Sequence, residues 1–161
     1  MAERLVERLA RGHETLVLAE SCTAGLVSDF VARVSGASAV LWGSFVCYTA
    51  GAKERMLGID GGLLRRHGLV SREAAREMAL HALELAGTSI AAAVTGLAGP
   101  GGDGSATPVG TVWVAVARRG NFCGVAEAWH REKELRFQGS RAEVRVQAAG
   151  AVLEELLETL A

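Results

Sequence analysis

Proline is nearly absent from this 161-residue chain: there are two, Pro100 and Pro108. Aromatic residues make up only 5% of it, so Ala, Val and Leu must fill the interior. Charge of one sign is also lacking. The formal net charge is −1, which argues against a dedicated nucleic-acid binder with its strong basic excess. No run of ~18 apolar residues occurs, so no transmembrane helix is expected. The three cysteines, Cys22, Cys47 and Cys123, are odd in number and show no C-x-x-C spacing. With charges already at Glu3 and Arg4 and no signal-type segment, a reducing cytoplasm is expected rather than a disulfide framework. The histidines stand apart, so neither a metal site nor a cofactor has support in the spacing.

Half of the residues are hydrophobic, which excludes disorder and gives one domain, 1–161, with a sizeable core. Periodicity predicts helices over 2–12, from Leu26 to Val34, over 52–57 and 63–67, and from a Ser71 cap to Ala86. Apolar runs of strand length occur at 15–19, 39–49 and 90–94. Thr111 to Ala117 and Phe122 to Arg136 read as a hairpin turning at Arg118-Arg119-Gly120-Asn121. Ser140 and Glu143 fit a capping box that opens a long final helix. Helices at both ends and between strands suggest an α/β fold, a sheet covered on both faces, with consecutive strands making it mixed.

Two long stretches are almost free of charge. Ser35 to Ala52 has none, and Ser89 to Ala117 has only Asp103. Their apolar halves read as buried strands. The polar residues in them, among them Ser44, Tyr48, Thr49, Thr95, Ser105 and Thr107, suit a concave site that approaches a polar ligand closely.

Four segments could carry chemistry. Ser21-Cys22-Thr23 sits where a strand gives way to a helix, whose free N–H groups stabilise anions and activate nucleophiles. Ser21 and Thr23 could equally be plain caps, and Cys22 could be the nucleophile or a buried, inert thiol. Lys53 is the first charge after the eighteen-residue gap. Desolvated, it becomes a neutral base for a serine; charged, it binds phosphate or simply faces water. Thr95 to Gly104 is a glycine-rich loop, without the pattern of a Walker or dinucleotide loop, that could form an anion nest or a hairpin tip. Arg141 and Arg145, four apart near a helix start, could clamp a phosphate or form a surface pair.

Together these segments resemble one family. Ala19-Glu20-Ser21-Cys22-Thr23, Gly36-Ala37-Ser38, Tyr48 with Lys53, His67-Gly68-Leu69-Val70-Ser71, Thr95 to Gly102, Pro108-Val109-Gly110-Thr111, and Gly139-Ser140-Arg141 with Arg145 occur in colinear order. They are similar to the C-terminal domain of the CinA (competence/damage-inducible) proteins, including stand-alone PncC-type chains. The resemblance implies a three-layer α/β/α sandwich that deamidates nicotinamide mononucleotide to nicotinic acid mononucleotide and ammonia. It implies Ser21 as nucleophile, Lys53 as its base, Tyr48 and Thr95 beside them, and no metal. Candidate substrate-binding residues are Cys22, Thr23, Gly25, Gly96, Gly99, Gly101, Arg141 and Arg145. The expected partners are a small nucleotide and further copies of the chain, with no membrane and no direct nucleic acid. Two positions depart from the family pattern. Ala24 stands where a second glycine is usual, and Ala50 where an asparagine is usual. A non-catalytic nucleotide-binding or partner-recruiting module and a Cys22-dependent amidase are the alternatives.

Overall fold

The computed structural model describes residues 1–122 and 125–161. In chain order the elements are α1 (Ala2–Arg11), β1 (Leu16–Glu20), α2 (Leu26–Ala32), β2 (Leu41–Val46), α3 (Ala50–Leu57), α4 (Gly61–His67), α5 (Arg72–Ala86), β3 (Ile90–Gly96), β4 (Thr111–Phe122), β5 (Val125–Arg136) and α6 (Arg141–Thr159). The strands form one mixed sheet in the order β2-β1-β3-β4-β5. β1 pairs in parallel with β2 and β3; β4 and β5 are antiparallel additions. This is the three-layer α/β/α arrangement expected from the pattern.

Alternation along the strands assigns the layers. Leu16 and Leu18, Ala92 and Val94, and Val112, Val114 and Val116 face α1, α2 and α6. Val17 and Ala19, Ala91 and Ala93, and Ala115 and Ala117 face α3, α4 and α5. On that second face alanines of the sheet meet Ala75, Ala79 and Ala82 of α5, all fully buried. Small side chains on both surfaces let helix and sheet approach closely, which is how so few aromatics suffice. The helix ends follow their caps. Asp60, Ser71 and Ser140 accept from the first turns of α4, α5 and α6, and Ser140 with Glu143 completes the capping box.

Three expectations are corrected. The hairpin does not turn at Arg118–Asn121, because β4 continues through those residues to Phe122 and pairs Arg118 with Trp129. The two arginines are anchored instead: Arg118 bonds Glu14 at 2.6 Å, and Arg119 donates to the Thr88 carbonyl at 2.9 Å. Cys123 lies outside the described residues. The charge-free stretch through β2 is not a buried strand. β2 is a sheet edge, and Trp42 and Val46 are exposed. It is also shorter than the expected 39–49, since a 3₁₀ turn occupies Ala37–Ala39 and Thr49 caps α3.

Ser21, Lys53 and Thr95 all follow from the parallel strands. The chain leaves β1 into α2 on one face and leaves β2 into α3 on the other. A crevice therefore opens beyond the carboxyl ends of these strands, where α/β sheets place their sites. The glycine-rich loop after β3 is pinned at its base. Leu97 N–H donates to the Thr111 carbonyl at 2.9 Å, and Gly110 N–H to the Leu97 carbonyl at 2.7 Å. Gly110 has φ +88°, and a Cβ there would lie 2.0 Å from the Phe137 carbonyl oxygen. Backbone at Phe137 cannot move aside without displacing the entry to α6. Gly110→Ala is therefore expected to cost more than about 2 kcal/mol in a denaturant titration. A change below about 0.5 kcal/mol would contradict this close packing.

Candidate functional site

The turn that carries Ser21 grows out of the β1 ladder. Glu20 aligns with Val46 and Val94 on either side. The ladder runs one step further: Ser21 N–H donates to the Val94 carbonyl at 2.9 Å, and Cys47 N–H to the Glu20 carbonyl at 2.8 Å. These two bonds fix Ser21 and Cys47 side by side. Lys53, four residues into α3, reaches back between them. Its Nζ lies 2.8 Å from Ser21 Oγ and 2.7 Å from the Cys47 carbonyl oxygen.

Lys53 has no exposed surface, so it is neither a solvated helix-start lysine nor a rim cation. Burial disfavours its charged form and brings the pKa down to about 8. The neutral amine keeps its donation to Cys47 and turns a lone pair toward the Ser21 hydroxyl. A serine beside a desolvated amine is the arrangement of an activated nucleophile. The neighbouring thiol moves the other way. Burial pushes Cys22 up to about 11, so it stays protonated at neutral pH and the thiolate reading loses its basis.

The expected helix N-terminus lies elsewhere. α2 starts only at Leu26, its N-cap is Gly25, and neither Ser21 nor Thr23 caps it. The carboxylate of Glu20 does so from the end of β1. It accepts from Gly25 N–H at 2.9 Å, Val27 N–H at 3.1 Å and Ser28 N–H at 2.9 Å. It also accepts from the hydroxyls of Thr23 at 2.8 Å, Ser28 at 2.9 Å and Ser44 at 3.2 Å. The positive end of α2 is thus occupied by an internal anion and is closed to substrate. Sequence reading gave Glu20 no role. Its signal was a carboxylate ending a wholly apolar strand just before a helix.

Between β1 and α2 the chain makes a separate turn, closed by Ala24 N–H to the Ser21 carbonyl at 3.1 Å. Ala24 has φ +51°, at the position where a glycine was the family expectation. The N–H groups of Cys22 and Thr23 have no protein acceptor among the described residues. Their carbonyls are held from α6. Arg145 donates from Nε to the Cys22 carbonyl at 3.0 Å and from Nη2 to the Thr23 carbonyl at 2.7 Å.

Ser21, Cys22, Tyr48, Thr95, Asp103 and Arg141 line a cleft of about 210 Å³. Leu69, Val70, Leu97 and Ala98 form its apolar walls together with Gly96. Thr95 donates to the Leu69 carbonyl at 2.7 Å, which leaves its lone pairs available. Arg141 spans the mouth, donating to the Gly99 carbonyl at 2.7 Å and to the Tyr48 hydroxyl. Of the expected binding residues, Thr23, Gly25, Gly99, Gly101 and Arg145 are not on the cleft wall. Lys53 stands behind Ser21. Among the described residues no three His, Cys, Asp or Glu side chains group as metal ligands do, and no helix is long and apolar enough to cross a membrane.

Known proteins share the fold and the family of this chain. The model of the CinA C-terminal domain matches residues 1–160. A CinA-like protein of Chlorobium luteolum is 41% identical over 97% of this chain and 36% of its own length. A CinA-like protein of Geobacter sulfurreducens is 43% identical over 91% of this chain and 33% of its own. The chain therefore spans about a third of the length of these curated relatives. Among solved structures, a CinA superfamily protein of Klebsiella pneumoniae superposes with a TM-score of 0.89 at 32% identity, covering 99% of this chain and 94% of the other. The competence/damage inducible protein CihA of Agrobacterium tumefaciens gives 0.87 at 36% identity, covering 98% and 92%.

The buried amine makes stability depend on pH. Its value is about 8 when folded against an ordinary 10.5. Between these limits the unfolded chain binds a proton that the folded one does not, so stability rises with pH across the window and is flat below it. Measured by denaturation from pH 7 to pH 10.5, the wild type should gain stability relative to Lys53→Met. A constant difference would show that Lys53 titrates normally.

Proposed function

The chain belongs to the CinA C-terminal domain family, and within it we propose an amidohydrolase that deamidates nicotinamide mononucleotide through a Ser21–Lys53 dyad. The observation that carries the proposal is the contact of a fully buried lysine amine with a serine hydroxyl at 2.8 Å, on the wall of a cleft. The cleft is smaller than the roughly 300–1,000 Å³ of pockets that enclose a whole drug-sized ligand. It suits a ring carrying a carboxamide, with the rest of the nucleotide outside. Arg141 at the mouth supplies a cation for the phosphate.

In the proposed cycle neutral Lys53 takes the Ser21 proton as Oγ attacks the carboxamide carbon. The tetrahedral oxyanion meets the unpartnered N–H group of Cys22, which lines the cleft, not the start of α2. As the intermediate collapses, protonated Lys53 gives its proton to the departing nitrogen and ammonia leaves. Lys53 then deprotonates a water, which cleaves the ester. The carboxylate product departs and Ser21 is restored. Thr95 and Tyr48 stand where they can orient the carboxamide and the ring.

Ammonia release from nicotinamide mononucleotide, the free base and the dinucleotide tests this directly. Ser21→Ala and Lys53→Ala should each lower release from the mononucleotide by about 10³-fold or more, with the fold intact. Full activity in either variant, or loss in Cys22→Ala alone, would overturn the dyad. Tight nucleotide binding without turnover over hours would point to the non-catalytic alternative. In the wild type, kcat/KM should climb about tenfold per pH unit below about 8 and level off above it. A profile without that limb would exclude Lys53 as the base.

A further inference from the structure

Arg145 is a cation bonded to the Ser21 turn that the proposed cycle does not use. It sits one helical turn beyond Arg141 on α6, yet it points away from the cleft mouth and into the turn. Two of its nitrogens hold two successive carbonyls, those of Cys22 and Thr23. In a turn closed by Ala24 N–H to the Ser21 carbonyl, carbonyls point toward one end and N–H groups toward the other. The peptide between Cys22 and Thr23 is planar and trans, so its N–H lies opposite the carbonyl that Arg145 grips. Thr23 N–H therefore faces away from the guanidinium but is fully buried. The second carbonyl that Arg145 grips belongs to the Thr23–Ala24 peptide, whose N–H holds the Ser21 carbonyl, and this sets the Ser21–Cys22 peptide so that Cys22 N–H lies at the end of the turn that bears Ser21.

Two forces hold this orientation. Glu20 fixes the far side of the turn through the Thr23 hydroxyl and Gly25 N–H. Arg145 fixes the near side with charge-assisted bonds, which are shorter and stronger than neutral ones. The turn needs both, because Ala24 places a left-handed conformation, costly for a residue with a Cβ, in its last position.

We propose that Arg145 is a positioning residue that orients the Cys22 N–H group toward the oxyanion formed at Ser21. It touches no substrate. It acts through the peptide planes, aiming a neutral donor at the oxygen that gains negative charge only as the tetrahedral species forms. This rests on the serine-amidase reading of the site, and a proposal of this kind predicts a loss in kcat without a change in KM.

The test uses Arg145→Lys and Arg145→Ala in the full chain, with pyridine-3-boronic acid as a probe that adds to the serine hydroxyl and mimics the tetrahedral species. Displacing this donor by a fraction of an ångström should lower kcat by about tenfold to a hundredfold. KM should stay within about twofold, and the boronate Ki should rise by about the same factor as kcat. Lysine retains the charge but not the two-pronged geometry, so it should restore only part of the loss. The midpoint of the pH profile, set by Lys53, should not move. Unchanged kcat, or a rise confined to KM, would overturn the proposal, the latter by making Arg145 a substrate ligand. Equal loss of kcat and folding stability, with unaltered boronate affinity per folded molecule, would reduce Arg145 to a structural clamp and overturn it too. A wild type that neither hydrolyses the amide nor binds the boronate would overturn the reading of the site itself, a result separate from any effect of Arg145.

Discussion

Everything at this site depends on burying one amine. Among the described residues Lys53 is the bulkiest fully buried side chain, and its Nζ has two oxygen neighbours, Ser21 Oγ and the Cys47 carbonyl. A charged ammonium there would lack the third acceptor it wants and the water it had in the unfolded chain. A neutral amine is satisfied by the same two neighbours. The surroundings thus shift the equilibrium toward the neutral form, relative to a lysine in water. The sheet makes this possible because adjacent parallel strands end together, placing Ser21 and Cys47 within reach of one lysine.

Two further charges are placed so that they do not compete with that amine. Glu20 spends its carboxylate on six donors around the start of α2. A carboxylate so fully bonded exerts its charge on the helix end rather than on Lys53. Arg145 is likewise spent on two carbonyls. That leaves Arg141 as the cation lining the cleft, joined to Tyr48 and to Gly99 of the glycine-rich loop. One arginine therefore ties the segments after β2 and β3 to the start of α6.

The helix and strand order was legible in the sequence because periodicity is a local property: the α5 alanines and the capping box at Ser140 follow from neighbours in the chain. Ser21 and Lys53 were legible as candidates, since a serine at a strand end and a lysine after a charge-free run each announce themselves. Their pairing came only from the family resemblance, because the local pattern does not show that β1 and β2 are adjacent or how deep α3 lies. The role of Glu20 was hidden for the same reason, since three of its donors come from a helix that begins six residues later and one from β2. Arg145 was misdirected by its spacing from Arg141. Two arginines four apart share a helix face, but that face here meets the cleft mouth at one and the nucleophile turn at the other. The edge position of β2 was invisible because an uncharged, β-branched and aromatic strand reads alike in the centre of a sheet and at its margin.

The central claim is that burial lowers the Lys53 pKa far enough for the neutral amine to serve as the base. The direct measurement is the proton equilibrium of that one amine, followed by NMR through its Cε resonance in a carbon-13 lysine-labelled sample titrated with pH, with Lys53→Met to assign the signal. The account predicts a midpoint at about 8. A midpoint at the ordinary lysine value of 10.5 would mean that burial does not favour the neutral amine, and Lys53 could not serve as the base.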